Sequence, residues 1–218
     1  KPNRYIGKPE PRADAARLLQ GRGRFVDDEK LPRMVHAAFV RSPHAHAKIL
    51  SIDTEDARTS TGVIAIYTGA DLAEHVTPYV GTLTHMAGLR SAPQHPLAMD
   101  VARWQGEPLV MVVATSRALA EDACELVDVD YDELPAAVDS ETALDADTPV
   151  IHPEFGSNLA WERDVIAGDI DAAFAAPGVH VVEREFRFGR HTGVTLESRG
   201  TLCDYDPSED QLTVYYSG

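Results

Sequence analysis

Leu109-Val110-Met111-Val112-Val113-Ala114, entered through Gly106-Glu107-Pro108 and followed by Ser116, is the stretch that decides the fold. Six apolar residues in a row, at strand length and with Val enriched, read as a strand covered on both faces. Ser116 stands where a helix N-cap belongs. Behind it Leu119, Ala123 and Leu126 fall on one helical face, with Glu121, Asp122 and Glu125 turned outward. Val127-Asp128-Val129-Asp130-Tyr131 then alternates apolar and polar, as a half-buried strand does. A strand, a short amphipathic helix and a second strand of different period predict a mixed α+β domain.

Working outward, Gly62 opens Val63-Ile64-Ala65-Ile66-Tyr67, a second run expected to be covered on both faces. Val35–Arg41 and Ile49–Asp53 are β-rich runs of strand length. Ser42-Pro43-His44-Ala45-His46-Ala47 lies between them, and Pro43 keeps that connection out of a central strand. A short helical turn is expected after Asp53. Residues 73–107 carry Pro78, Pro93 and Pro96 without any period, so they read as a long irregular excursion of functional or interfacial use. At the N-terminal side, residues 1–20 read as a tail leading into a short helix near Asp14–Leu19. Gly21-Arg22-Gly23-Arg24-Phe25 is a turn leading to an extended stretch through Asp27-Asp28.

Residues 139–163, Asp-rich with Pro149 and Pro153, are a linker by composition. Asp169 is placed to cap a short helix over Ile170–Phe174. Val179–Phe188 is a long strand candidate. Thr201–Tyr205 and Leu212–Tyr216 flank Asp206-Pro207-Ser208-Glu209-Asp210, which reads as a hairpin turn.

The 218 residues include 44% hydrophobic and 25% charged positions, ordinary values for a globular chain able to bury its own core. Lys plus Arg number 20 against 35 Asp plus Glu, a formal charge of −15. That field repels phosphate backbones and anionic lipid, so neither nucleic acid nor a membrane is expected as a partner. No apolar run approaches the ~20 residues of a spanning helix, and the charged, Pro- and Gly-broken N-terminal region does not read as a signal peptide. Two separated cysteines, Cys124 and Cys203, fit a reducing cytoplasm and are too few for an iron–sulfur cluster, which takes about four. A chain that begins with Lys1 and ends at Gly218 straight after a strand pattern is expected to continue in nature.

Chemistry-bearing patterns are sparse. Gly21-Arg22-Gly23-Arg24 lacks the third glycine of a dinucleotide loop and the Lys-Ser/Thr of a phosphate loop, leaving a tight turn with solvated arginines. His44 and His46 would point to one side of an extended segment, and a metal site there would need His36 or His95 as a third ligand. Polar-turn histidines are the commoner outcome. No G-x-S-x-G elbow occurs. Glu197 and Arg199 read as a buried structural ion pair rather than a site. Cys124 sits on the inner helical face as a small hydrophobe.

The order of the motifs adds more. Gly21-Arg22-Gly23-Arg24-Phe25-Val26-Asp27-Asp28 precedes Leu31-Pro32, then Phe39-Val40-Arg41-Ser42-Pro43-His44-Ala45-His46-Ala47-Lys48-Ile49. Gly62–Leu72, Gly106-Glu107-Pro108, Ala120-Glu121-Asp122-Ala123 and Val129–Pro135 follow, then Gly168–Phe174 and Leu196-Glu197-Ser198-Arg199-Gly200. This series resembles the N-terminal part of the molybdenum-binding large subunit of the xanthine dehydrogenase, aldehyde oxidase and carbon monoxide dehydrogenase family.

The resemblance implies a tail over 1–19, an α/β hammerhead domain over 20–138, a linker over 139–163 and, over 164–218, the truncated opening of the first molybdopterin-binding domain. It implies a subunit that oxidises an aldehyde, a purine, another N-heterocycle or carbon monoxide with water as oxygen source. Molybdopterin would be held by the complete subunit, and iron–sulfur and FAD groups by partner subunits. The chain itself would be scaffold and subunit interface, and inactive alone; separately, the unpaired edges of the strands expected at Val179–Phe188 and Leu212–Tyr216 would make it prone to self-association. The family's molybdenum-side glutamine, its glycine-rich cofactor loop and its catalytic glutamate all fall beyond Gly218. No catalytic, cofactor-binding or metal residue is therefore assigned here, and the histidines become structural. Glu197-Ser198-Arg199-Gly200 stands where many relatives have Glu-Pro-Arg-Gly. The alternative reading is a non-catalytic interaction module built on a free-standing hammerhead.

Overall fold

A computed structural model describes residues 5–217; the expectations that touch residues 1–4 and Gly218 lie outside them. The elements in chain order are α1 (Ala15–Leu19), β1 (His36–Arg41), β2 (Ala47–Asp53), α2 (Glu55–Thr59), β3 (Val63–Thr68) and α3 (Gly69–Ala73). They continue with β4 (Val101–Ala102), β5 (Pro108–Ala114), α4 (Arg117–Cys124), β6 (Asp128–Glu133), α5 (Ile170–Ala175), β7 (Gly200–Asp206) and β8 (Gln211–Ser217). Single turns of 3₁₀ helix cover Val26–Asp28, where an extended stretch was expected, and Pro153–Phe155.

The chain divides into two compact units: Arg33–Pro177, and Lys1–Pro32 together with Gly178–Gly218. In the first, β5 is the middle strand of an antiparallel sheet ordered β1-β5-β3. Its continuous apolar run follows from that position. Leu109 and Val110 point to opposite faces and are both fully buried, and Val112 and Ala114 join them. Ser116 caps α4 as its sequence position requires, its hydroxyl accepting from the Leu119 N–H at 3.3 Å. The helix packs on β1 and β5. A second antiparallel sheet, ordered β4-β2-β6, supplies Ile49, Ile52, Val129 and Tyr131 to the same core.

Several expectations are corrected by this packing. β3 is an edge strand, so Ile64 and Tyr67 are exposed and only Ile66 is buried. Ala120 and Ala123 form the buried side of α4, while Leu126 lies past its last turn and is exposed. The helix sits close to the sheet, and small side chains fit that distance. Gly62 serves the same approach: its φ is +81°, and a Cβ there would stand 2.6 Å from Leu119 Cδ1.

Residues 74–100 run irregularly, as expected, with one isolated bridge between Tyr79 and Gln94, but the end of the expected excursion is not irregular: Val101–Ala102 is β4, paired with β2. Residues 139–163 do not behave as an open connector. Asn158 donates its amide to the Ala143 and Pro149 carbonyls, both at 2.9 Å, and accepts from the Ile151 N–H at 3.0 Å. Thr148 Oγ1 donates to the Thr142 carbonyl at 2.6 Å. Asp169 caps α5 through the Ala172 N–H at 2.9 Å.

In the second unit β7 and β8 form the expected hairpin, paired from Gly200–Ser217 to Asp206–Gln211. Val26 packs on Gly200 at its base, 3.3 Å from the Cβ position. Val179–Phe188, expected as a strand, is not one: it is exposed throughout and pairs with no strand among the described residues. Strand propensity does not make a strand without a partner ladder.

Candidate functional site

Two motifs far apart in sequence meet at one corner of the first unit. β1 ends in a register shift at Val40/Arg41, and Pro43 stops the ladder. The next residues turn onto the Gly106-Glu107-Pro108 entry to β5. Ser42, 2% exposed, donates its N–H to the Glu107 carbonyl at 2.9 Å and accepts from the Gly106 N–H at 2.8 Å. Its hydroxyl donates to the His44 carbonyl at 3.0 Å and accepts from the His44 N–H at 3.1 Å. Arg41 donates to the Gly106 carbonyl at 2.9 Å with its guanidinium over the Phe39 ring. Glu107 accepts from the Arg103 N–H at 2.6 Å. Gly106 holds φ +95°, a conformation that glycine reaches without strain.

The histidines of this corner are used separately. His44 packs edge-on against Tyr131 with ring centroids 4.8 Å apart. His46 Nδ1 lies 2.7 Å from the Pro135 carbonyl, and since a carbonyl only accepts, that nitrogen carries a proton. The structure gives the two rings different partners and joins neither His36 nor His95 to them. Among the described residues no group of three or more His, Cys, Asp or Glu is placed to hold a metal.

A second constellation was not anticipated from the sequence. Arg90, in the irregular excursion, donates from Nη1 to the Phe155 carbonyl at 2.7 Å and from Nη2 to Ser157 Oγ at 2.9 Å and to the Leu159 carbonyl. Its N–H donates to the Ala160 carbonyl at 2.9 Å, and its guanidinium lies 5.4 Å from the Phe155 ring centroid. Trp161 Nε1 donates to the Ala87 carbonyl at 3.2 Å. No spacing signals this arrangement, because one partner is an arginine in a polar loop and the others are mostly main-chain carbonyls.

Other groups are plainly structural. Asp71 closes a capping box on Thr68, and the Thr68 hydrogen bonds hold its carboxyl below the usual range. Asp71 also lines an open concavity of about 380 Å³ with Arg58, Glu74 and His75. Burial, then the nearby Glu121, pushes the Cys124 thiol up, away from thiolate chemistry. Glu197 and Arg199 are exposed, so the buried ion pair expected of them is not formed. Arg24 pairs instead with Glu29 at 2.7 Å beside the Gly21 turn. A second concavity, about 440 Å³, is bounded by residues 80–91 and Phe155. Neither concavity gathers donors converging on a pterin or a metal ion. No described residue is assigned a contact to molybdopterin.

The model of the family described as aldehyde oxidase and xanthine dehydrogenase, a/b hammerhead domain, matches residues 20–135, more than half of the chain. The chain belongs to that family. A model described as molybdopterin cofactor-binding domain matches residues 151–218. Hammerhead and cofactor-binding segment thus follow each other here as the motif order implied. The nicotine 6-hydroxylase large subunit of Paenarthrobacter nicotinovorans is 39% identical over 97% of this chain and 26% of its own length. The carbon monoxide dehydrogenase large chain of Afipia carboxidovorans is 34% identical over 96% of this chain and 27% of its own length. The crystal structure of quinoline 2-oxidoreductase from Pseudomonas putida 86 superposes with a TM-score of 0.83 at 37% identity, covering 97% of this chain and 26% of that one. The chain thus spans about a quarter of the length of these relatives. Among the described residues no helix is long and apolar enough to cross a membrane.

Proposed function

We propose that this chain is the N-terminal segment of a molybdenum hydroxylase large subunit and serves it as scaffold and subunit interface. The observation that carries the reading is the likeness, over nearly the whole chain, to quinoline 2-oxidoreductase, with a TM-score of 0.83. Residues 20–138 act as the hammerhead, and the cofactor-binding domain opens within residues 151–218, the stretch its family model matches, which begins ahead of the boundary at residue 164 expected from the sequence. The complete subunit oxidises an aldehyde, a purine, another N-heterocycle or carbon monoxide, taking oxygen from water. The relatives' names, which include nicotine, quinoline and carbon monoxide, support this range. When bound, molybdopterin supplies the electron and oxygen chemistry, while the protein supplies orientation and surroundings. Iron–sulfur and flavin subunits take the electrons, and the assembly works in the cytoplasm. The chain alone binds no molybdenum.

Metal analysis tests the reading. The complete subunit, purified with its partners, is expected to hold molybdenum in stoichiometric amount, and residues 1–218 none. Stoichiometric molybdenum on residues 1–218 alone would overturn the assignment. A complete protein that carries no molybdenum, yet captures other chains, would favour the free-standing adaptor.

A further inference from the structure

We propose that Arg90, braced by Asn158, is a fixed joint that fastens the start of the cofactor-binding segment to the hammerhead. Arg90 lies inside the match to the hammerhead model, whereas Phe155, Ser157, Leu159 and Ala160 lie inside the match to the cofactor-binding model. All of them belong to one compact unit, Arg33–Pro177.

Composition makes 139–163 a flexible connector, and the contacts remove that freedom. A planar guanidinium presents donors in a fixed fork, and here the fork reaches three acceptors spread over Phe155–Leu159. It therefore fixes the direction of the chain as well as one point on it. The Phe155 ring under the guanidinium and the Arg90 N–H on Ala160 close the joint from two further sides. Asn158 stiffens the same loop from within by tying residues 143, 149 and 151 together. Two of the three acceptors, the Phe155 and Leu159 carbonyls, are backbone groups outside any sheet ladder, and the third is the Ser157 hydroxyl, so losing the fork leaves them to water. A lysine cannot replace it, because a point charge on a flexible stem does not span the three acceptors at once.

The joint is tested on residues 1–218 by hydrogen exchange and limited proteolysis of the wild type, Arg90→Ala, Arg90→Lys and Asn158→Ala. Cleavage between residues 142 and 161 is expected to be slow in the wild type. It should rise about tenfold or more in both Arg90 variants, with a smaller rise in Asn158→Ala, in keeping with the strength of charge-assisted bonds. Protection of β5 and α4 should not change. Rapid cleavage in the wild type, full rescue by Arg90→Lys, or loss of β5 protection in step with the loop would each overturn a local joint. The consequence for the complete subunit rests on the molybdenum hydroxylase reading. There Arg90→Ala should lower the molybdenum content while leaving β5 protected, and an unchanged content would remove the joint's role in cofactor loading. A wild-type subunit without molybdenum would defeat that reading and leave the proteolysis result standing.

Discussion

Ser42 shows how much a single polar side chain can hold in this chain. Its backbone joins the end of β1 to the entry of β5, and its hydroxyl satisfies both the N–H and the carbonyl of His44. Because Ser42 is 2% exposed, water does not easily replace those bonds. Ser42→Ala is expected to cost about 1–3 kcal/mol, the usual penalty for buried groups left without partners. A lowered urea midpoint with an unchanged slope would show it. An unchanged midpoint would mean that His44 finds solvent, and that the corner is held by its backbone bonds alone. The same corner explains the neighbouring histidines. His46 spends its Nδ1 proton on Pro135 and His44 packs on Tyr131, so both are parts of the scaffold.

Among the elements, the central strand and its helix behave as their patterns require, and the outer ones depend on what lies beside them. β5 is buried because β1 and β3 flank it and α4 covers it. β3 carries almost the same apolar run but stands at an edge, and of its six residues only Ile66 is buried while Ile64 and Tyr67 are exposed. Gly62 is where β3 and α4 are brought together. Gly62→Ala would combine a positive φ with a Cβ 2.6 Å from Leu119 Cδ1 and 2.9 Å from Thr115 Oγ1. The expected loss is about 1–3 kcal/mol, reduced to the extent that the Leu119 side chain can swing aside. Thermal unfolding of the variant measures it, and a wild-type Tm would show that the α4–β3 gap is looser than the distances say.

For the whole molecule, the two units differ in how much they bury. Leu97, Leu109, Val110 and Val112 are all fully buried in Arg33–Pro177. In the other unit Val182, Phe186, Phe188, Val194 and Leu196 are all more than 70% exposed. The β7–β8 ribbon adds a face carrying Tyr205, Leu212, Val214 and Tyr216, and its two outer edges are unpaired among the described residues. Open edges and bare apolar side chains recruit other strands, while a charge of −15 opposes indiscriminate aggregation. The isolated chain is therefore expected to form discrete oligomers through residues 178–217. Light scattering on residues 1–218 and 1–163 tests this: the longer chain should associate and the shorter stay monomeric. Two monomers, with slow amide exchange over Val179–Tyr216 in the longer one, would contradict it.

What the sequence by itself determined was local or ordered along the chain. The β5–α4–β6 succession, the Ser116 and Asp169 caps and the β7–β8 hairpin were legible because periodicity, capping and turn chemistry act over a few residues. Family membership was legible because the motifs keep a fixed order from Gly21 to Gly200. Tertiary structure alone decided which of two similar apolar runs became the middle strand, since burial depends on neighbours that strand order supplies. It left Val179–Phe188 unpaired although its residues favour a strand. It also turned an Asp-rich stretch with linker composition into a loop pinned by Arg90. That pin joins groups 65 to 69 residues apart, and its acceptors are mainly backbone carbonyls, which every residue carries. No residue-type pattern marks such a contact, and only the path of the chain brings it together.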